Sequence, residues 1–314
     1  MLLSPAVFAI DPSSVCAQIE RFLQQTMQHL ARSGIVVAIS GGVDSSTVLA
    51  LAVRAVGKER VTGLILPEKQ GNPDAERYAL QMAQRLGIQT KTIDISGLLA
   101  KAGSYNFILA HIPSRTLRDR AVRMYMAVAR SNPYLEIIRG TEDPIIRKGF
   151  AAMNAKHRIR LVVAYRFAEE HNLMVTGCAH KSEDLLGLFV KFGVDDNADV
   201  MPLLNLYRSH ILQLARYIGV PAEIIGRTPN PDIIAGVSDK YRDVLGLSAD
   251  TLDLILFGLE EIGMPSRQIA GELDLPEEQI TQIEEIVQLT SHMRHHSLAP
   301  VIPIRPTGLG SVLA

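Results

Sequence analysis

Ser40-Gly41-Gly42-Val43-Asp44-Ser45-Ser46 is the stretch on which the fold of this chain turns. The apolar run Gly34-Ile35-Val36-Val37-Ala38-Ile39 precedes it, and a second apolar segment with helical spacing, Thr47 to Val56, follows and closes at Gly57. The pattern predicts a strand, a tight glycine turn and a helix starting at Asp44. Adjacent glycines admit backbone conformations that a Cβ forbids, so several N–H groups can converge on one concavity. The helix start adds its positive dipole end to the same spot, and Ser40, Ser45 and Ser46 add hydroxyls. A nest of this kind suits phosphate or pyrophosphate. Asp44 would repel a phosphate directly, so its place there makes sense if Mg²⁺ lies between carboxylate and phosphate oxygens. Glycine–serine turns are common at helix starts, and Asp and Ser are ordinary caps, but the whole string is more specific than either feature. No lysine follows in the Walker position, which excludes the phosphate loop of kinases and GTPases.

Length and composition bound the rest. The chain has 314 residues, enough for one large α/β domain with additions or two small domains. Hydrophobic residues make up 47%, so a sizeable core is available. The net charge of -1 argues against a general nucleic-acid or membrane-surface binder, both of which show a basic excess. The 2 cysteines, Cys16 and Cys178, form no disulfide or zinc spacing, which fits a reducing cytosol. No signal peptide or membrane-spanning run is expected.

Taken in order, Asp11-Pro12-Ser13 predicts a helix start, with Val15, Ile19, Phe22, Leu23, Met27 and Leu30 at helical spacing up to Gly34. Val61 to Leu66 reads as a strand, Asp74 to Leu86 as an amphipathic helix and Ile88 to Ile95 as a third strand. This alternation implies a parallel twisted sheet flanked by helices, with ligands beyond the carboxyl ends of the strands. From Ser96 to Gly149 the pattern weakens. Arg115, Arg118, Arg120, Arg123 and Arg130 suggest a helix with a solvated basic face, or else the wall of a pocket for an anion, and Pro133 and Pro144 read as breaks. Met153 to Glu170 is helical and Leu173 to Thr176 a strand; Gly177 to Lys181 is a turn from which Ser182 and Glu183 enter a helix. Asp195-Asp196-Asn197 reads as a surface turn. Tyr207 to Ile218 is a helix, and a helical tail runs through Leu252 to Ile262, Arg267 to Leu273 and Glu277 to Leu289. Ala299 to Ala314 reads as an extended terminus.

The serine–glycine string resembles the loop of the N-type ATP pyrophosphatases, and several later segments resemble one branch of that group, the NAD synthetases. Asn154 with Arg158, Ile159, Arg160 and Tyr165 is similar to one family helix. Lys181-Ser182-Glu183, Lys191-Phe192-Gly193 and Ala198-Asp199 are similar to a second signature. Leu214 to Pro221, Leu245-Gly246-Leu247-Ser248, and Ser291-His292-Met293-Arg294 with Pro300 resemble later family segments in the same order. The resemblance covers most of the chain outside about residues 97–150.

It implies a Rossmann-like, adenine nucleotide alpha hydrolase-like fold in a single domain over 1–314, with 97–150 an enlarged insertion and 248–296 a set of C-terminal helices. It also implies a reaction. ATP adenylates the pyridine carboxylate of deamido-NAD, and ammonia then forms the amide, releasing NAD, AMP and pyrophosphate. By this resemblance Ile39, Ser40, Gly41, Gly42, Val43, Asp44, Ser45, Ser46, Cys178, Arg208 and Asn230 bind ATP; Asp44 and Glu183 hold Mg²⁺; and Arg158, Lys191, Asp199 and His292 contact the dinucleotide. Asp44, Glu183 and Arg208 are the expected catalytic group. The resemblance also implies a cytoplasmic homodimer with ammonia arriving free or from a separate protein. Departures gather near the nucleotide: Cys178 stands in place of a threonine, Arg208 of a lysine, Asn230 of a serine or threonine, Met293 of a basic residue and His180 of the commoner asparagine. They leave two other expectations open: a related enzyme that adenylates a different acid or transfers sulfur through Cys178, and a nucleotide-binding regulator without turnover.

Overall fold

Four parallel strands form the middle layer of the computed structural model, which describes residues 2–106, 112, 114–129, 132–229 and 236–295. The strands are β1 (Gly34–Ala38), β2 (Val61–Ile65), β3 (Gln89–Thr92) and β4 (Leu173–Thr176), in the order β3-β2-β1-β4. Ile35 pairs with Val61 on one side and with Met174 on the other. Each parallel step needs a crossover, which helices supply. α1 (Pro12–His29) precedes β1, and the connections between strands carry α2 (Val43–Val56), α3 (Pro73–Leu86), α4 (Ser96–Lys101), α5 (Arg115–Ala129), α6 (Pro133–Arg139) and α7 (Pro144–His171). Beyond β4 follow α8 (Lys181–Leu186), α9 (Arg208–Tyr217), α10 (Ala222–Ile225) and α11 (Arg242–Leu245). The tail comprises α12 (Ala249–Phe257), α13 (Ser266–Leu273) and α14 (Glu277–Leu289).

The central strand β1 is apolar on both faces because both are covered. Ile35 and Val37 pack with Leu23 of α1, Leu49 of α2 and Leu214 of α9. Val36 points the other way, into a cluster with Leu99 of α4 and Val163 and Phe167 of α7. A third cluster joins Tyr134, Leu186 and Tyr241 to Leu252 and Ile283 of the tail. The edge strand β3 is made of Gln89, Thr90, Lys91 and Thr92, all exposed. A polar edge with a lysine discourages pairing with another sheet.

The strands and most helices lie where the sequence puts them, and three expectations need correction. Pro133 and Pro144 open helices rather than break them. Asn132 accepts the amides of Tyr134 and Leu135, and Asp143 those of Ile145 and Ile146. Proline at the first helical position has no amide to lose and a backbone angle already set, so α7 begins at Pro144 rather than at Met153. The third strand is shorter than Ile88 to Ile95. The basic segment is not wholly solvated: Arg120 and Arg123 are exposed, but Arg118 is buried. The expected extended terminus lies outside the described residues.

Just past β2, Glu68 is buried with Lys156 of α7. Lys156 Nζ donates to Glu68 Oε1 at 2.7 Å, and the Tyr105 hydroxyl and Gln70 amide donate to Oε2, each at 2.8 Å. Burial, the largest single influence, would raise the Glu68 pKa, but the ammonium beside it and the hydrogen bonds it accepts together outweigh burial and hold it below the ordinary 4.5. A depressed carboxylate pKa adds stability above the unfolded value, and that stability is lost as pH falls through the folded value. We therefore expect Lys156→Met, which leaves Glu68 buried and unpaired, to cost about 3–5 kcal/mol in urea unfolding. The double variant Glu68→Gln/Lys156→Met should recover part of that loss. It should also lose stability less steeply than the wild type as pH falls below 4.5.

Candidate active site

The chain leaves β1 toward β2 on one side, while β4 lies on the other. The loops that follow β1 and β4 therefore diverge, and a crevice opens between them at this reversal of strand order. A cavity of about 1050 Å³ occupies the crevice. That lies at the top of the roughly 300–1,000 Å³ range of small-molecule sites.

At one end of the cavity lies the serine–glycine loop. Gly41 has φ 71°, in the left-handed region, and packs against Ala75 and Tyr78 of α3. Arg227 holds the loop from outside. Its Nη1 donates to the Gly41 carbonyl at 2.6 Å, and its guanidinium lies 4.5 Å from the Tyr78 ring centre. Gly42 sits at the cap position of α2 and offers no side-chain cap. The first-turn amides of a helix have no partner within it, and here Gly42, Val43, Asp44 and Ser45 line the cavity together with Ile39 and Ser40. The Ser40 and Ser45 hydroxyls lie 3.2 Å apart and brace the turn. Gly41 and Ser46 do not face the cavity. Gly41 shapes the turn, and Ser46 is buried behind it with its amide on the Gly42 carbonyl.

Asp44 enters from α2 and Glu183 from α8, with His180 at the α8 cap position. One ligand atom from each of these residues lies within 4.8 Å of the others. Asp44 Oδ1 is buried with no hydrogen-bond partner; Arg208 Nη1 is 3.7 Å away and His180 Nε2 4.0 Å away. Lys240 forms an ion pair with Glu183 Oε1. Burial opposes the charge of Glu183, yet His180 and Lys240 hold its pKa below the ordinary carboxylate value. An orphaned carboxylate oxygen facing a second carboxylate and an imidazole is a donor set that fits a divalent cation. Behind this group, Asp253 of α12 accepts the Ser182 hydroxyl at 2.6 Å and the Ser209 amide at 2.8 Å, and Ser182 Oγ accepts the Arg208 amide at 3.0 Å. The starts of α8 and α9 are thereby fixed to each other. Cys178 also lines the cavity, but it is packed in the core beneath the sheet, and burial pushes its thiol well up. A thiol in such a place stays protonated and is a poor nucleophile.

The other end is built from three distant segments. Arg158 Nε of α7 donates to the Lys191 carbonyl at 3.2 Å, and Lys191 Nζ donates to the His292 carbonyl at 2.8 Å. All three residues line the cavity. Asp195, expected on a surface turn, also lines it, 3.1 Å from His157 Nδ1. Asp199 is not brought there. Its carboxylate accepts the Tyr165 hydroxyl at 3.1 Å and the Val175 amide at 2.8 Å, tying α7 to β4. Asn230 lies outside the described residues. Sequence reasoning missed Lys240, Arg227, His157, Glu68 and Asp253. Glu68 stood at the carboxyl end of a strand, and Asp253 stood within an apolar helical stripe; each had a signal. Lys240 and Arg227 had none.

The NAD synthase family model matches residues 15–146 and 132–297. The NH(3)-dependent NAD(+) synthetase of Coprothermobacter proteolyticus is 36% identical over 256 residues, 78% of this chain and 84% of that protein. The protein of the same name from Thermococcus sibiricus is 31% identical over 295 residues, 94% of this chain and 99% of its own length. Among solved structures, the NMN synthetase of Francisella tularensis has a TM-score of 0.68 at 23% identity, covering 94% of this chain and 100% of that one. The NH3-dependent NAD synthetase of Campylobacter jejuni has a TM-score of 0.65 at 21% identity, with the same coverage. These likenesses establish the fold.

A Cβ at position 41 would collide with the Ala75 carbonyl and lie 2.8 Å from Tyr78 Cβ, on top of the strain of a positive φ. Gly41→Ala is expected to lose at least about 2 kcal/mol in chemical denaturation. Gly42→Ala, where the nearest atom is 3.4 Å away, should lose much less.

Proposed function

This chain belongs to the NAD synthase family, and we propose that it is an AMP-forming ligase that amidates deamido-NAD with ammonia. What supports this reading above all is the pair of acids, Asp44 and Glu183, beside the uncapped start of α2 with Arg208 and Lys240 against them. The loop and both acids survive the departures at Cys178 and His180, which speaks against a regulator without turnover. The buried, protonated Cys178 speaks against sulfur transfer.

In this reading the triphosphate of ATP lies against the amides of Gly42 to Ser45, and Asp44 and Glu183 hold Mg²⁺. The ion supplies positive charge where pyrophosphate gains negative charge. Arg208, buried and fixed through its amide to Ser182, adds a second fixed positive charge there. A carboxylate oxygen of deamido-NAD bonds to the α-phosphorus, and the bond from that phosphorus to the bridging oxygen breaks, with its electron pair leaving on pyrophosphate. The nitrogen of ammonia then bonds to the carbonyl carbon, the carbon–oxygen bond to AMP breaks, and the extra proton passes from nitrogen to water. Arg158, Lys191 and His292 hold the remote end of the dinucleotide, so binding energy there orients the reacting carboxylate. We take 1–314 as a single domain enlarged over 97–150 and extended by the helices of 248–296, and we propose a cytoplasmic homodimer. Phe22, 44% exposed on the outer face of α1, marks one candidate contact. Among the described residues no helix is long and apolar enough to cross a membrane.

Incubation with ATP, Mg²⁺, ammonium and deamido-NAD is expected to yield AMP, pyrophosphate and NAD in equal amounts. Absence of AMP with deamido-NAD and with every other pyridine carboxylate would sink the proposal; AMP with a different acid alone would change the substrate. Asp44→Asn should lower kcat at least about 100-fold with its circular dichroism unchanged. Cys178→Ser should keep its turnover, and loss of activity there would revive sulfur chemistry.

A further inference from the structure

His180 is wholly buried, and neither ring nitrogen has a good hydrogen bond. Nδ1 has no partner, and Nε2 lies 3.5 Å from the Tyr241 hydroxyl, at the outer limit of such a contact. Buried polar atoms are normally satisfied, so the orphaned Asp44 Oδ1 beside Nε2 calls for a missing partner. Nε2 points to the two acids instead, 3.6 Å from Glu183 Oε2 and 4.0 Å from Asp44 Oδ1. Lys240 occupies the other oxygen of Glu183, Oε1, and leaves Oε2 turned to His180.

We propose that His180 is a third ligand of the cation held by Asp44 and Glu183, making a site of two carboxylates and one imidazole that favours a divalent transition ion over Mg²⁺. The proposal rests on the reading that those two acids hold the metal of the reaction. The spacing fits. Ligand bonds of about 2.1 Å separate neighbouring donors by about 3.0 Å in an octahedron and opposed donors by about 4.2 Å. At 3.6 and 4.0 Å the two Nε2 distances lie between these values, so a bound ion would draw Glu183 closer as a neighbouring donor and leave Asp44 near the opposed position. Position is fixed as well, because the His180 carbonyl accepts the Asp184 amide at 3.0 Å in the first turn of α8. The chemistry follows from ligand type. Mg²⁺ prefers oxygen donors and water, whereas Co²⁺, Zn²⁺ and, more weakly, Mn²⁺ gain from an imidazole nitrogen. An asparagine at this position would offer an oxygen and no such preference.

The test uses the full chain, freed of metal and without nucleotide. Pulsed electron paramagnetic resonance of the protein with Mn²⁺ should show the coupling of a directly bound imidazole ¹⁴N, and His180→Asn should abolish it. By calorimetry, His180→Asn should cut the ratio of Co²⁺ to Mg²⁺ affinity at least about tenfold and change Mg²⁺ affinity by less than about threefold. Absence of nitrogen coupling in the wild-type protein at saturating Mn²⁺ overturns the proposal, and that measurement does not depend on the variant folding. An unchanged affinity ratio in a folded His180→Asn protein overturns it too. Asp44→Asn separates the two levels. If it abolishes metal binding while the wild type lacks nitrogen coupling, the role of His180 alone fails; if it leaves metal binding unchanged, the two-acid metal site itself fails.

Discussion

Two carboxylates brought into one buried crevice repel each other, and much of the surrounding structure offsets that repulsion. Asp44 and Glu183 come from opposite sides of a reversal in strand order. Arg208 and Lys240 press against them from two further segments. Even with these two cations, the arrangement leaves Asp44 Oδ1 without a hydrogen-bond partner, and a buried polar atom left so is costly. It is therefore poised for a cation and for the phosphate oxygens a cation brings. The α2 dipole acts in the same sense, with its uncapped amides on the same face of the cavity.

Rigid support makes this charge pattern usable. Asp253, almost fully buried in the helical tail, receives hydroxyls and an amide from the starts of both α8 and α9. The tail therefore does more than cover apolar surface, since it fixes the elements that carry Glu183 and Arg208. On the other side of the cavity, the buried pair of Glu68 and Lys156 ties the end of β2 to α7, which also carries Arg158. Each end of the cavity thus rests on an ionic or hydrogen-bonded tie that reaches across sequence.

The parts of this molecule legible in its sequence are those set by local rules. The glycine loop, the apolar strands and the capped helices follow from backbone freedom, strand burial and side-chain capping, all of which act within a few residues. The misreading of Pro133 and Pro144 came from taking proline as a breaker without weighing Asn132 and Asp143 before them. Lys240 and Arg227 escaped notice because their partners, Glu183 and Gly41, are far away in the chain, and a lysine or arginine in a polar loop looks like any solvated charge. Asp199 reads differently in sequence and in structure: a match in pattern suggests ligand contact, whereas in the fold its carboxylate joins α7 to β4. The convergence of Arg158, Lys191 and His292 was expected from family likeness alone; no periodicity or spacing brings those three segments together.

The pairing of β1 with β4 sets the order in which the site can come into being. Gly34 lies beside Leu173, with β2, β3 and a long run of helices between them in the chain. Contacts between such distant residues form late, because the loop they close is long. A nascent chain that has completed β1, β2 and β3 already possesses the glycine loop, yet lacks the second acid and both neighbouring cations. During synthesis, then, the first half of the protein carries a phosphate cradle that cannot do chemistry, and competence waits for β4 to dock and for α8, α9, Lys240 and the helical tail that follow it.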